Sequence, residues 1–175
     1  GTGGPIKKAQ DNLVDGEPFL VLNGDVISDI DYRHLVEFHK SNGGIATIAL
    51  VRVPDPSRYG AVELDDGGRV ARFVEKPEFG TAPSNLINAG IYVFDKEVLD
   101  YIPDGKVSTE KEVFPILANE GKLYGYEAHG LWLDVGVPEA YLEANRLILE
   151  RLNGEDIGED RVVHETAKIL DPTYL

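Results

Sequence analysis

Apolar residues fall in short dense runs, each ending on a cluster of polar or small residues. Phe19-Leu20-Val21-Leu22 follows Pro18 and breaks at Asn23-Gly24-Asp25. This pattern predicts a strand buried on both faces, with polar residues at its C-terminal end. Ile45 to Val53 is a second, nearly continuous apolar strand. Between them Asp31 is placed to cap a helix over Tyr32 to Ser41, with Leu35, Val36 and Phe38 as apolar positions and Gly43-Gly44 as the stop. Strand, helix, strand predicts a right-handed crossover unit. Upstream, Ile6, Ala9 and Leu13 share one side of a short helix from Ile6 to Val14, with Pro5 at its first turn.

The middle of the chain changes character. Ala61 to Leu64 and Val70 to Val74, joined through Asp66-Gly67-Gly68, read as a hairpin of half-exposed strands. Ile87 to Phe94 predicts another strand, Lys96 to Tyr101 a short helix, and Glu110 to Asn119 a helix interrupted early by Pro115. Lys122 to Ala128 and Leu131 to Asp134 follow as short strands. Val137 to Arg151 is the longest helix, with Ala140, Leu142, Ala144, Leu147, Ile148 and Leu152 as candidate core positions and Asn153-Gly154 as its end. From Val162 to Pro172, small and apolar residues recur at short intervals. They read either as the opening of a hexapeptide-type β-helix or as coincidence, since one coil cannot stack on itself.

Charge narrows the function. The 175 residues carry 31 acidic and 17 basic side chains, a net charge of −14. Most of the surface therefore repels nucleic acid and anionic membrane, and a polyanionic substrate needs local cations or metal ions. No apolar run is long enough to span a bilayer, and no signal peptide opens the sequence, so a cytoplasmic enzyme is the expectation. The absence of Cys excludes disulfides and thiolate metal sites. The absence of Met and the abrupt Gly1-Thr2-Gly3-Gly4 start read either as a longer protein that has been cut, the favoured expectation, or as a processed start.

Candidate chemistry gathers where strands begin or end. Asp25 reads as a metal ligand at a sheet edge or as a loop aspartate capping the next segment. Glu75-Lys76-Pro77 closes a strand, and Pro77 stiffens the backbone behind an acid and a base. The pair suits a phosphorylated sugar, carboxylate to hydroxyls and ammonium to phosphate; the alternative is a strand-end charge pair facing water. Gly90, inside Asn88-Ala89-Gly90, suggests close approach of a ligand or backbone. Asp134, in Trp132-Leu133-Asp134-Val135-Gly136, is a second strand-end aspartate or an N-cap before the long helix. Two such carboxylates are suited to hold Mg²⁺ between them while phosphate oxygens complete an octahedron.

In order and spacing, Gly1-Thr2-Gly3-Gly4-Pro5, Asn23-Gly24-Asp25, Arg58-Tyr59-Gly60, Phe73-Val74-Glu75-Lys76-Pro77, Asn88-Ala89-Gly90-Ile91-Tyr92, Glu110-Lys111-Glu112-Val113-Phe114-Pro115 and Trp132-Leu133-Asp134-Val135-Gly136 resemble the sugar-nucleotide pyrophosphorylases, the sugar-1-phosphate nucleotidyltransferase family. Within it the sequence is most similar to mannose-1-phosphate guanylyltransferases and archaeal glucose-1-phosphate nucleotidyltransferases. The resemblance covers Gly1 to about Arg151.

The resemblance implies an α/β fold, a Rossmann-like, glycosyltransferase-A-like three-layer arrangement around a mixed sheet. It implies a core over residues 1–153, with residues 154–175 as linker and a first coil of a left-handed β-helix. The implied reaction is attack of a sugar 1-phosphate on the α-phosphorus of a nucleoside triphosphate, giving a sugar nucleotide (GDP-mannose, or dTDP- or UDP-glucose) and pyrophosphate. Asp25 and Asp134 match the Mg²⁺-binding aspartates, Lys76 the sugar-phosphate lysine, and Glu75 the residue reading sugar hydroxyls. Tyr59-Gly60 and Asn88 fall at sugar contacts, and Gly3 and Gly4 match the end of a loop over the nucleotide base, GTP in the guanylyltransferase case. The family's opening strand and its glycine-rich loop with an Arg and a Lys for triphosphate have no counterpart in these residues. The chain alone is therefore expected to be inactive, with an open edge or gap beside Phe19 to Leu22, and to pair with the missing segment or with a second copy of itself. The competing classes are a non-catalytic sugar-nucleotide-binding relative, in which the carboxylates tend to be lost, and a glycosyltransferase, against which the Glu-Lys-Pro and Trp-x-Asp-x-Gly segments argue.

Overall fold

The computed structural model describes residues 1–152. The predicted β-helix coil from Val162 to Pro172 and the linker from residue 154 lie outside the described residues. The chain divides into two compact units, one of Gly1–Gly24 with Ser28–Trp132, the other of Asp25–Ile27 with the chain from Leu133 onward.

The first unit is organised by β6 (Leu86–Phe94), against which three strands pair. β1 (Phe19–Leu22) runs antiparallel to its C-terminal half, Phe19 opposite Phe94 and Leu22 opposite Ile91. β4 (Gly60–Leu64) pairs with its N-terminal half through Ala61 and Ile87. β3 (Ala46–Arg52) lies antiparallel along its other side. β7 (Leu123–Glu127) is parallel to β3, and β5 (Val70–Glu75) closes a hairpin with β4. The result is a mixed six-stranded sheet. β1 and β3 are parallel to each other, as the strand–helix–strand reading requires, with β6 inserted between them.

Both faces of the sheet are covered. On one, Ala46, Ile48 and Leu50 of β3 and Tyr92 and Phe94 of β6 pack with Ile6, Val98, Leu99, Ile102, Phe114 and Leu117. On the other, α2 (Tyr32–Asn42) lies against the alternate residues of β3: its buried His39 is hydrogen-bonded through Nδ1 to Thr47 Oγ1 at 2.9 Å, with Nε2 3.3 Å from Asp95. Helical cover on both sheet faces gives the three layers expected. Asp31 caps α2 as anticipated, accepting from the N–H groups of Arg33 and His34, and Gly43 terminates it in the left-handed conformation.

Several elements differ from the sequence pattern. β1 is not buried on both faces: Phe19 and Val21 face the core, whereas Leu20 and Leu22 are 41% and 51% exposed. Among the described residues β1 pairs with β6 alone, so its other edge is open. α1 runs Gly3–Lys8, starting earlier and ending sooner than Ile6 to Val14. Pro5 fits in its first turn, where no N–H is needed. The Ala9 N–H reaches the carbonyls of both Ile6 and Pro5, which tightens the chain into a 3₁₀ turn over Gln10–Asn12. Pro115 does not interrupt a helix but follows a π-turn at Thr109–Val113 and sits in the first turn of α3 (Phe114–Asn119). The sequence reading passed over β2 (Val26–Ser28), which pairs with β8 (Trp132–Asp134) in a small separate sheet.

In the second unit α4 covers Pro138–Leu152. Ala144 is buried as expected, but Leu142, two residues before it and so on the opposite side of the helix, is 68% exposed. No described helix is long and apolar enough to cross a membrane.

The first unit's core centres on aromatic contacts: Tyr92 and Phe94 stack with ring centroids 5.4 Å apart, and Phe114 meets both and Phe73. Phe114 is fully buried, so Phe114→Ala is expected to cost about 3–5 kcal/mol, read as a lowered urea midpoint. A midpoint unchanged from wild type would show that this cluster does not hold the unit together.

Candidate functional site

The site residues of the first unit meet around a break in β6. Between the Ile48–Tyr92 and Leu50–Asn88 pairs, a single β3 residue stands opposite three in β6, Ala89 to Ile91. Such a bulge leaves backbone groups without ladder partners, and each must be satisfied another way. Asn88 Oδ1 accepts from the Gly90 N–H at 2.9 Å. Trp132 Nε1 donates to the Ala89 carbonyl at 2.8 Å. The Gly90 carbonyl accepts from the Asn23 N–H at 2.8 Å. Gly90 has φ 71°, and a Cβ there would lie 2.6 Å from the Asn23 amide nitrogen. The close approach suggested by Gly90 is therefore that of the Asn23 side chain.

Beside the bulge, Glu75 at the end of β5 is the cross-strand partner of Gly60 at the start of β4. A Cβ on Gly60 would stand 3.0 Å from Glu75 Oε2 and 2.6 Å from Phe73, so only glycine lets that carboxylate and ring lie where they do. Lys76 follows with φ 49°, the only non-glycine residue with positive φ among those described, its N–H donating to the Tyr59 carbonyl at 2.9 Å. Holding a lysine in the left-handed region costs on the order of 1–3 kcal/mol and persists only where the surroundings enforce it. The Tyr59 ring meets Trp132 edge-on, centroids 5.6 Å apart. Asn88 Nδ2 donates to the Tyr92 hydroxyl at 3.1 Å. Tyr59, Gly60, Glu75, Lys76 and Asn88 are thus gathered on neighbouring segments around the ends of β4 and β5 and the bulge of β6.

Charges of both signs meet here, the Glu75 and Glu110 carboxylates with the Lys76 and Lys111 ammonium groups. Burial, then the nearby Glu110 carboxylate, hold the Glu75 carboxyl above its ordinary value, with Lys76 and Lys111 acting the other way. Burial pushes Glu110 up too. Hydrogen bonds from Thr2, its own backbone, Ser108 and Thr109 outweigh that and keep it below the usual glutamate range. Thr2 Oγ1 donates to Glu110 Oε2 at 2.7 Å. Gly3 and Gly4 lie at the start of α1 against the 102–107 segment: the Gly3 N–H bonds to Val107, and a Cβ on Gly4 would be 2.5 Å from the Gly105 carbonyl oxygen. Close packing accounts for both glycines. A cleft of about 470 Å³ opens beside β1, lined among others by Gly1, Thr2, Asn23, Gly24, Tyr92 and Thr109.

The two aspartates form a second group, within the second unit. The Val135 N–H donates to the Asp25 carbonyl at 2.8 Å, and the Gly136 N–H to Asp134 Oδ1 at 3.0 Å. A Cβ on Gly136 would lie 3.1 Å from Asp134 Oδ1 and 3.4 Å from Asp25 Oδ2, so both carboxylates converge above this glycine. No cluster of three or more His, Cys, Asp or Glu side chains suited to a metal occurs among the described residues. Two carboxylate oxygens without a closed cage fit a hard cation that keeps waters and takes further oxygens from a substrate.

Sequence reasoning gave no role to Asn23, Tyr92, Glu110 or Trp132. Asn23 and Trp132 carried a readable signal, a polar residue and the only Trp flanking strand ends. Tyr92 sat within an apolar strand and looked like core.

The first unit is thus a mixed sheet with helices on both faces and a strand-end Glu-Lys pair, and the second unit holds a converging carboxylate pair. The chain belongs to the nucleotidyl transferase family, whose model matches residues 1–151. Its relatives are sugar-1-phosphate nucleotidyltransferases. It is 46% identical to the rice (Oryza sativa subsp. japonica) protein named probable mannose-1-phosphate guanylyltransferase 2, over 97% of this chain and 50% of that one. It is 44% identical to the mannose-1-phosphate guanylyltransferase catalytic subunit beta of Dictyostelium discoideum, over 89% of this chain and 43% of that one. Among solved structures it resembles HddC from Yersinia pseudotuberculosis, with a TM-score of 0.68 and 32% identity over 85% of this chain and 62% of that one. The chain spans about half the length of the curated relatives it matches.

The Glu75 environment has a stability consequence. Its pKa is raised on folding, so the folded state holds this proton more tightly than the unfolded chain. The contribution is most favourable at low pH and declines as pH rises through the folded value. Glu75→Gln is accordingly expected to raise Tm at pH 7–8 and to leave it nearly unchanged at pH 4. Thermal melts at the two pH values test this, and an equal shift at both would contradict it.

Proposed function

We propose that the protein carrying this chain transfers GMP from GTP to mannose 1-phosphate, forming GDP-mannose and releasing pyrophosphate. The convergence of Asp25 and Asp134 above Gly136 supports the chemical class. Base and sugar rest on the relatives, which are named as mannose-1-phosphate guanylyltransferases at 41–46% identity, and on HddC, whose structure is known in complex with GMP-PN.

In this reading an oxygen of the sugar phosphate attacks the α-phosphorus of GTP, a new P–O bond forms, and the bond to the β-phosphate oxygen breaks. The nucleophile is already anionic near neutral pH, so no general base is needed, and catalysis is positioning and charge neutralisation. Asp25 and Asp134 would hold Mg²⁺, which offsets the repulsion between the two anionic substrates and the charge on departing pyrophosphate. Lys76 binds the sugar phosphate, and Glu75, Asn88 and the Tyr59-Gly60 segment face the sugar. Gly3 and Gly4 belong to the nucleotide side. The triphosphate is assigned to residues outside these 175, in which no glycine-rich loop offers Arg at the family's spacing. The open edge of β1 is where the strand of such a segment would pair. The Dictyostelium relative is named as a catalytic subunit, and assembly with a second subunit or copy is part of the proposal.

Pyrophosphate release by the complete polypeptide, with GTP, ATP, UTP and dTTP each offered against mannose and glucose 1-phosphates, tests the reading. Turnover confined to GTP and mannose 1-phosphate is expected. No release with any pair would overturn the class, and preference for another pair would replace the base or sugar. Asp25→Asn and Asp134→Asn are expected to leave the melting curve in place and cut kcat by about 10²–10³, the scale of losing one electrostatic stabiliser. Lys76→Ala is expected to raise KM for sugar phosphate by about 10–100-fold, the scale of a hydrogen bond to a charged group, with KM for GTP little changed.

A further inference from the structure

The segment Gly1-Thr2-Gly3-Gly4 lies flush against residues 102–108. The Gly3 N–H donates to the Val107 carbonyl at 3.0 Å. A Cβ on Gly1 would overlap that same carbonyl, and one on Gly4 would stand 2.5 Å from the Gly105 carbonyl oxygen. Thr2 is therefore the one side chain with which these four residues can hold their place. It stands at the N-cap position of α1, yet its hydroxyl caps nothing in that helix. The hydroxyl turns instead to the π-turn at Thr109–Val113. There it donates to Glu110 Oε2 at 2.7 Å and accepts from the Thr109 N–H at 3.0 Å. Thr109 Oγ1 lies 2.7 Å from Thr2 Oγ1. Because the one Thr2 proton goes to the carboxylate, this contact is the buried Thr109 hydroxyl donating to Thr2. The proton and both lone pairs are thus engaged. Ser108 Oγ donates to the same Glu110 oxygen at 2.8 Å, which helps to hold the carboxylate in place.

A hydroxyl whose whole hydrogen-bonding capacity is spent within the protein has none left for a ligand, although Thr2 and Thr109 both line the cleft beside β1. We propose that Thr2 is a positioning residue: its hydroxyl ties the Gly1–Gly4 backbone to the Thr109–Glu110 turn and so sets the nucleotide side of the site without touching the nucleotide. This rests on the function proposed above, in which Gly3 and Gly4 belong to that side. Without the tie the nucleotide has to order the segment as it binds, and that ordering is subtracted from its affinity. The tie needs a hydroxyl at residue 2. Serine supplies the same three bonds, whereas valine matches the shape of threonine and supplies none.

In the complete polypeptide Thr2→Val is expected to raise KM for GTP about tenfold, the scale of a hydrogen bond to a charged group. KM for mannose 1-phosphate, kcat and Tm are expected to stay near wild type, and Thr2→Ser to restore KM for GTP. Equilibrium titration with GTP alone is expected to show the same loss in Kd for the valine variant. An unchanged KM for GTP in Thr2→Val, or a serine variant as impaired as the valine one, would overturn the assignment while leaving the proposed function standing. So would a rise in both KM values together with a lowered Tm, the mark of a purely structural tie. A wild-type protein that turns over no nucleoside triphosphate with any sugar 1-phosphate would overturn the proposed function and this inference with it.

Discussion

The first unit depends on one strand meeting obligations to three others. β6 pairs with β1 along its C-terminal half, with β4 along its N-terminal half, and with β3 along its opposite side. A regular ladder does not pass through the step between those halves, so β6 bulges at Ala89 to Ile91. Backbone groups removed from water and from the ladder cost about 1–3 kcal/mol each unless something else bonds them. Three partners do so: the Asn88 side chain, the Trp132 indole and the Asn23 backbone. The residues that repair the sheet also border the candidate site, so under the function proposed above architecture and recognition would share one set of hydrogen bonds.

The same economy explains the glycines around the pocket. Gly90 leaves room for the Asn23 side chain, and Gly60 leaves room for Glu75 and Phe73. Both positions need the absence of a Cβ, and Gly90, with φ 71°, also needs the left-handed backbone that glycine adopts freely. At Gly136 in the second unit the fit is looser, since a Cβ would crowd Asp134 Oδ1 at 3.1 Å and only touch Asp25 Oδ2 at 3.4 Å. Against this background the positive φ of Lys76 stands out, since a residue with a Cβ is held where glycine would sit more easily. The Tyr59 carbonyl holds its N–H in place.

Much of this was legible in the amino acids. The apolar runs at Ile45 to Val53 and Ile87 to Phe94 located the two central strands, because strands covered on both faces need continuous apolar sequence. Asp31 and Gly43 marked the ends of α2 through local capping chemistry. The polar ends of strands pointed to Asp25, Glu75, Lys76 and Asp134. The illegible parts depend on partners distant in sequence. Leu20 and Leu22 are apolar yet exposed, because burial of a strand face is decided by what packs on it. Tyr92 read as core because a ring in an apolar strand is usually core; its place beside Asn23, sixty-nine residues earlier, in the wall of the cleft is visible only in the fold. The π-turn before Pro115 and the bulge in β6 are departures from periodicity, which a reading based on period does not see.

Trp132 is the sole tryptophan in the sequence, with its indole N–H on the Ala89 carbonyl and the Tyr59 ring at its edge. Within this chain it is the one tryptophan fluorophore, located at the joint between the bulge and the Tyr59 loop. Its emission is not averaged over several environments. It reports one hydrogen bond and one ring contact, so red-shifted light from this protein would mean that water has reached that joint.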